Sequence, residues 1–132
     1  MAMQEGDIVN FGGQPFEVID VYTRAQAIKD GCLVDLTEWA KEARFKYPVA
    51  VTSAVYALLE PSEHCRNLGQ SEKGRAMDMF NMMHLAIMAK QGPTDLVFFN
   101  VKFGKHVHRF KSLCHPGDEG EPVITIMLPE ED

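Results

Sequence analysis

The last third of the chain contains a hairpin whose pairing follows directly from its residues. The run LVFFNVKF (96–103) alternates apolar with other side chains, which predicts a β-strand with one covered face. Gly104-Lys105 follows it and predicts a two-residue turn of the type that begins with glycine. This turn sets Phe103 opposite His106 in a returning strand, HVHRFKSLC (106–114). The register of these two strands limits the folds that the chain can adopt.

A further strand is predicted near the C-terminus. The run PVITIML (122–128) is apolar at almost every position, which is typical of a strand covered on both faces. With the hairpin before it, this run predicts an antiparallel three-stranded meander.

Two short helices are predicted before residue 45. In TRAQAIKDG, Thr23 is a helix cap, Gln26 completes a capping box, and Gly31 suits the left-handed position that ends the helix. After the apolar link LVDL, Thr37 is predicted to cap a second helix, EWAKEARF.

The region from 49 to 71 leaves two interpretations open. Thr52 can start a third helix, SAVYALLE, that ends at Pro61. Alternatively, VAVTSAVYALL holds a strand, because several of its residues are β-branched. Residues 61–71 are predicted to form a loop.

The longest helix is predicted from Glu72 to Lys90, with Ser71 as its cap and Gly92-Pro93 as its stop. It is apolar on most sides and holds five of the eight methionines of the chain. Such a helix is expected to be buried on more than one side. Because methionine adapts to irregular contacts, a groove for a partner is the alternative to a purely structural role.

The order of the elements predicts the fold class. Residues 7–11 and 15–21 flank Gly12-Gly13, which predicts an N-terminal hairpin. Helices follow and strands come last, so we expect an α+β fold with the methionine-rich helix packed against the meander. The length of 132 residues predicts a single domain, 1–132.

The net charge of −6 argues against a general nucleic-acid binder, which needs a basic surface to displace counterions. An acidic protein is suited instead to basic protein surfaces.

The cysteines and the hydropathy pattern bear on location. The three cysteines are widely spaced and form no CxxC pair, so we expect no disulfide and a cytoplasmic protein. Polar residues interrupt the most apolar stretch, so no membrane span is expected.

His106 and His108 form an HxH pair on one face of a strand, and Cys114 falls on the same face if the strand is regular. Two imidazoles with this spacing are common in metal sites. However, the hairpin register sets Val101 opposite His108, among apolar and aromatic residues. We therefore interpret these histidines as packing residues, expect no cofactor, and keep the three residues only as weak metal candidates.

The segment CHPGDEGEP (114–122) concentrates carboxylates between glycines and prolines. Asp118, Glu119 and Glu121 are predicted to be solvated turn residues and a contact surface for a partner, as are the tail residues Glu130, Glu131 and Asp132. Neighbours on a strand point to opposite faces, so Cys114 and His115 are not expected to act together as nucleophile and base.

Four segments carry a resemblance: YTRAQAIKDGCLVDLTEWAKEA (22–43), FKYPVAVTSAV (45–55), GQSEKGRAMDM (69–79) and PGDEGEPVITIMLPEED (116–132). Together they resemble an uncharacterised domain family found mainly in phages, plasmids and other mobile elements. The resemblance implies an accessory or anti-defence role, exerted by binding a host complex, and it implies no particular reaction.

Three functions follow as expectations. The first is a small, acidic, non-enzymatic accessory protein that binds a host protein complex, for example as an anti-CRISPR inhibitor. The second is a nucleotide-using enzyme, because YTRAQAIKDG resembles the opening of ADP-ribosyltransferases; the resemblance implies a dinucleotide site at Tyr22, Thr23 and Arg24, with Glu121 as the acidic residue. The third is a homodimer formed through the methionine-rich helix.

Overall fold

The computed structural model describes residues 8–11, 14–17 and 22–131. The strands are β1 (Ile8–Phe11), β2 (Gln14–Glu17), β3 (Leu33–Asp35), β4 (Val49–Thr52), β5 (Leu96–Phe103), β6 (His106–Pro116) and β7 (Pro122–Met127). The helices are α1 (Arg24–Asp30), α2 (Thr37–Glu42), α3 (Ser53–Leu59), α4 (Glu63–Asn67) and α5 (Glu72–Ala89). The predicted α+β class is therefore confirmed.

The main sheet has five strands in the order β3-β4-β7-β6-β5. The predicted three-stranded meander is wrong in this respect, because β5, β6 and β7 form only part of a larger sheet. β4 pairs parallel to β7, with Val49 opposite Ile124, whereas the other neighbours are antiparallel. The prediction treated residues 33–36 as a link, since a three-residue strand is too short to show a periodic pattern.

The register of the β5–β6 hairpin matches the prediction. Phe103 pairs with His106 and Val101 with His108 across Gly104-Lys105, and Gly104 has a φ of +60°. At the N-terminus, β1 and β2 form a separate two-stranded sheet in which Phe11 pairs with Gln14. The turn glycines between them and residues 18–21 of the predicted second strand lie outside the described residues.

Most predicted helix starts are confirmed. Thr23 and Gln26 form the capping box of α1, and the Thr52 and Ser71 side chains cap α3 and α5. The Thr37 cap is wrong: Leu36 occupies that position without a side-chain bond. The Thr37 hydroxyl donates to Asp35 instead, because that carboxylate lies only two residues away.

The region from 49 to 71 combines both interpretations that the sequence left open. VAVT (49–52) is strand β4, and SAVYALL (53–59) is helix α3, which begins directly after it. The predicted loop 61–71 contains the short helix α4, whose start is capped by the Ser62 hydroxyl.

The core lies between α5 and one face of the main sheet. Its largest fully buried side chains include Phe80, Met79 and Met83 of α5 together with Phe110 of β6. The strand predicted to be covered on both faces, β7, is indeed buried from Val123 to Met127. Ile124 and Ile126 belong to the core cluster, whereas Thr125 contacts α1. Because side chains alternate along a strand, α1 and α5 lie on opposite faces of the sheet.

Among the helices described, none combines the length and the apolar character that a bilayer crossing requires.

Replacing Phe110 with alanine should lower the free energy of unfolding by about 3–5 kcal/mol, because Phe110 is fully buried and its removal leaves a cavity. Urea denaturation followed by circular dichroism measures this loss. Phe98→Ala is the matched control, since Phe98 is 41 % exposed on the neighbouring strand and should cost far less. Equal losses in the two variants would contradict the assigned core.

Candidate functional site

The acidic connection between β6 and β7 is a tight, internally bonded turn. The Gly117 N–H donates to the Glu121 carbonyl at 2.6 Å, and the Gly120 N–H donates to the Gly117 carbonyl at 3.1 Å. The Glu119 N–H donates to Glu121 Oε2 at 3.2 Å. A Cβ atom at position 117 would lie 1.8 Å from Glu121 Oε1, so a side chain at this position would displace the Glu121 carboxylate from the turn. The Glu121 side chain therefore helps to shape the turn.

Asp118 joins this turn to the start of α1. Its Oδ1 accepts the Arg24 N–H at 2.7 Å, and its Oδ2 accepts the Ala25 N–H at 3.0 Å. Both groups belong to the first turn of the helix, where N–H groups have no partner within the helix. A carboxylate at this end is also favoured by the helix dipole. The Asp118 carboxylate thus holds together two parts of the chain that are distant in sequence.

The Arg24 side chain points into the protein. Nη1 donates to Thr125 Oγ1 at 2.6 Å, and Nη2 donates to the Ile124 carbonyl at 2.8 Å. Burial lowers the pKa of this guanidinium, whereas the carboxylates of Asp35, Asp118 and Glu121 oppose the shift. An arginine stays protonated across the physiological range, so the sheet holds a half-buried cation with two strong acceptors.

His115 completes this hydrogen-bond chain. Its Nδ1 lies 3.0 Å from the Pro116 carbonyl, which only accepts, so Nδ1 carries the proton in the neutral ring. Its Nε2 then accepts from the Thr125 hydroxyl at 2.8 Å. The Thr125 hydroxyl oxygen can still accept from Arg24, so the hydroxyl and both ring nitrogens of His115 each have a hydrogen-bond partner. His115 thereby has a structural role, on the face opposite Cys114.

The C-terminal tail has a different role from the acidic turn. Glu131 Oε1 accepts from the Thr52 hydroxyl and from the Leu128 N–H, both at 2.8 Å. Lys111 Nζ donates to the Pro129 carbonyl at 3.1 Å. Glu130 is exposed, and Asp132 lies outside the described residues. The tail and the turn lie at opposite ends of β7, roughly 20 Å apart along the strand, so the predicted contact residues form two separate surfaces.

We use the name acidic face for four exposed residues: Asp35, Asp118, Glu119 and Glu121. Three belong to the β6–β7 turn, and Asp35 of β3 acts on the same Arg24 guanidinium. Since that guanidinium is bonded to the β7 backbone and to Thr125, it faces away from solvent. The acidic face can therefore attract a basic partner, and its backbone is fixed by α1.

The four predicted nucleotide-site residues lie in one region, but the side chains of all four already form bonds within the protein, Glu121 with the Glu119 N–H. The Tyr22 hydroxyl donates to Asp30 at 3.0 Å and lies 3.4 Å from Cys32 Sγ; the Cys32 bond, burial and Asp30 raise its pKa above the usual range. Thr23 caps α1, and Arg24 points inward. The dinucleotide site stays a prediction. The Arg24 guanidinium points inward, so it is not directed toward a ligand in solvent.

The weak metal candidates do not converge. The His106 and His108 ring centroids lie 6.4 Å apart, whereas Cys114 is six residues beyond His108 on β6, or about 20 Å along the strand. Burial raises the pKa of the Cys114 thiol, and Asp95 adds to the shift. Within the described ranges, no group of three or more His, Cys, Asp or Glu side chains is arranged to hold a metal ion.

A cleft that the sequence did not predict lies beside the two histidines, with a volume of about 520 Å³. It brings His64 and Cys65 of α4 to the end of the β5–β6 hairpin. Arg75 lies in its wall, with its guanidinium 5.1 Å from the centre of the Phe103 ring and a hydrogen bond to the Leu58 carbonyl at 3.0 Å. No sequence motif links α4 with this hairpin, so the cleft could be found only from the fold.

Replacing Asp118 with alanine should destabilise the protein by about 1 kcal/mol, because two N–H groups of α1 lose their acceptor. Urea denaturation measures the change. Glu119→Ala is the control in the same turn, and it should shift stability by less than about 0.5 kcal/mol, since its side chain is exposed. A larger loss for Glu119 than for Asp118 would contradict the capping role.

His108 should make the fold less stable in mild acid. Burial lowers its pKa below the ordinary value of 6.5, and the charges of His106 and Arg75 lower it further. The unfolded chain therefore binds more protons in this range, so the His108 contribution is complete above the ordinary pKa and is lost as the pH falls toward the folded-state value. The urea midpoint should decrease between pH 7.5 and pH 5.5, and this decrease should be smaller in His108→Gln than in the wild type. An equal decrease in the two proteins would show that other groups cause the loss of stability.

Comparison with known proteins identifies the family of this chain. Neither the curated proteins nor the solved structures contain a match to this chain. A family model described as "Family of unknown function (DUF6573)" matches residues 9–132. Since the match includes α1, the acidic turn and all five strands of the main sheet, the chain belongs to this family of unknown function.

Proposed function

We propose that the protein is a non-enzymatic accessory protein that acts by binding a basic surface of a host protein complex through its acidic face. The observation that carries this proposal is the arrangement around Arg24. Asp118 and Glu121 are exposed, while the guanidinium next to them is bonded inward to Ile124 and Thr125. The local negative charge is therefore available to a partner.

The rigidity of the acidic face also supports binding. Asp118 is bonded to two N–H groups of α1, and the Glu121 carboxylate is bonded within the turn. A preformed surface loses less conformational entropy when a partner binds than a flexible loop does. Complementary charge also accelerates the encounter with a basic partner.

The resemblance to proteins of phages, plasmids and other mobile elements supports the choice of partner. Proteins of that kind often inhibit a host defence complex by binding it. We propose that this protein has such a role, for example as an anti-CRISPR inhibitor, and that it blocks a surface that normally binds nucleic acid. Such surfaces are basic, as an acidic inhibitor requires.

Reversing one charge on the acidic face should abolish most of the binding. The immobilised protein is incubated with a bacterial lysate, and retained proteins are quantified by mass spectrometry. Glu119→Lys should reduce recovery of a specific partner roughly tenfold, because attraction becomes repulsion. Binding of the purified partner should also weaken as salt is added.

The control is Glu130→Lys, which makes the same charge change on the tail at the other end of β7 and should retain the partner. Recovery of no partner above background, or equal loss in the two variants, would overturn the acidic-face proposal. Release of nicotinamide from NAD by the purified protein would instead favour the nucleotide-using alternative.

A further inference from the structure

The cleft beside the β5–β6 hairpin has a basic lining in a protein whose net charge is −6. The lining side chains that are positive, or that become positive on protonation, are His64, Arg75, Lys105, His106 and His108. They come from α4, α5 and the hairpin, which are distant from one another in sequence. Among the described residues that line the cleft, Glu60 supplies the one carboxylate. The cleft therefore concentrates groups that attract an anion.

The basic groups of one wall lie side by side. The Arg75 guanidinium lies 5.1 Å from the centre of the Phe103 ring, and the His108 ring lies 5.6 Å from the same ring. The centres of the His106 and His108 rings are 6.4 Å apart. A guanidinium and two imidazoles thus form a continuous row along the aromatic side chain of Phe103.

The Arg75 side chain is held in place by neutral acceptors. Its Nε donates to Gln70 Oε1 and its Nη1 donates to the Leu58 carbonyl, both at 3.0 Å. In the part of the chain that the structure describes, Arg75 forms no ion pair with a carboxylate. A guanidinium has five N–H donors in a rigid fork that matches the oxygens of an anion. Arg75 therefore keeps both its charge and further donors for a ligand.

His108 shows that the positive charges of this wall act on one another. Burial lowers the pKa of His108, and the charges of His106 and Arg75 lower it further. Like charges disfavour protonation of a neighbouring group, whereas an opposite charge within a few ångströms favours it. An anion placed between these side chains would offset their repulsion.

The size and the apolar walls of the cleft indicate the rest of the ligand. The volume of about 520 Å³ is typical of sites that enclose small organic molecules. Leu58, Leu68 and Phe103 contribute apolar lining, which an inorganic ion would leave uncovered. A phosphate ester has about 1.5 to 2 negative charges and three acceptor oxygens at neutral pH, so it suits donors that arrive from several directions.

We propose that this cleft is a binding site for a small phosphate ester that carries an apolar or aromatic group. The phosphate oxygens accept from Arg75, Lys105 and His106, and the organic group lies against the apolar wall. The proposal does not rest on the proposed function of the acidic face. The cleft and the acidic turn lie at opposite ends of β6, about 33 Å apart along the strand, and they have opposite charge.

An NMR titration of the ¹⁵N-labelled full chain with phenyl phosphate at pH 7 tests the site. The dissociation constant should be about 0.1–1 mM, as expected for a ligand of this size. Backbone signals of residues 104–108 should shift, whereas those of residues 117–121 should not. Inorganic phosphate lacks the ring and phenol lacks the charge, so each should bind at least about tenfold more weakly.

Two pairs of variants separate a specific site from a general effect of charge. Lys105→Ala and His106→Gln should each weaken the binding of phenyl phosphate roughly fivefold, because each removes a charge-assisted hydrogen bond. Both residues are exposed, so the fold should tolerate the changes. Lys29→Ala and His84→Gln are the matched controls, since they make the same changes at exposed positions outside the cleft and should bind like the wild type.

Four results would overturn the proposal. They are the absence of any shift up to about 10 mM phenyl phosphate, shifts confined to the acidic turn, equal binding of phenol and phenyl phosphate, and equal losses in the cleft and control variants. Circular dichroism of each variant verifies that a loss of binding does not come from unfolding.

Discussion

The parallel pairing of β4 with β7 is the constraint on which the rest of the structure depends. It sets Val49 opposite Ile124 and Val51 opposite Ile126, and thus joins the helical first half of the chain to the strands of the second. All four side chains are buried in the core cluster. Parallel neighbours need a long connection, and here α3, α4, α5 and the β5–β6 hairpin lie between the two strands. Without this pairing, β3 and β4 would not belong to the same sheet as the C-terminal strands.

The second face of β7 explains why the protein has a buried polar chain. Thr125 lies on that face, where an apolar side chain would ordinarily pack. Its hydroxyl instead accepts from Arg24 and donates to His115, and Arg24 also bonds the Ile124 carbonyl. Breaking one member of such a network is costly, because the others are left without partners. The network fixes α1 on the sheet, and α1 in turn fixes the acidic turn through Asp118.

The sequence predicted those features that depend on residues a few positions apart. The Gly104-Lys105 turn predicted the β5–β6 register, and Thr23, Thr52 and Ser71 predicted the starts of their helices. β3 and β4 were not placed in the sheet, since their partners are distant and the strands are short.

The same limit applied to the candidate site. The carboxylates of the β6–β7 turn were expected to be solvated and to contact a partner, and the capping role of Asp118, which accepts from backbone groups more than ninety residues away, was not predicted. Glu131 was expected to contact a partner, but its carboxylate bonds Thr52 and Leu128. A sequence does not distinguish a solvated carboxylate in a surface turn from one that is bonded within the protein. The N–H and O–H groups that bind the second kind are brought near it only by tertiary folding.

The two sides of the sheet therefore have separate tasks. The side with α1 uses its polar groups to hold an acidic turn in place, because Asp118 accepts from two N–H groups of α1. The side with α5 buries the core, where Met79, Phe80 and Met83 pack against the sheet.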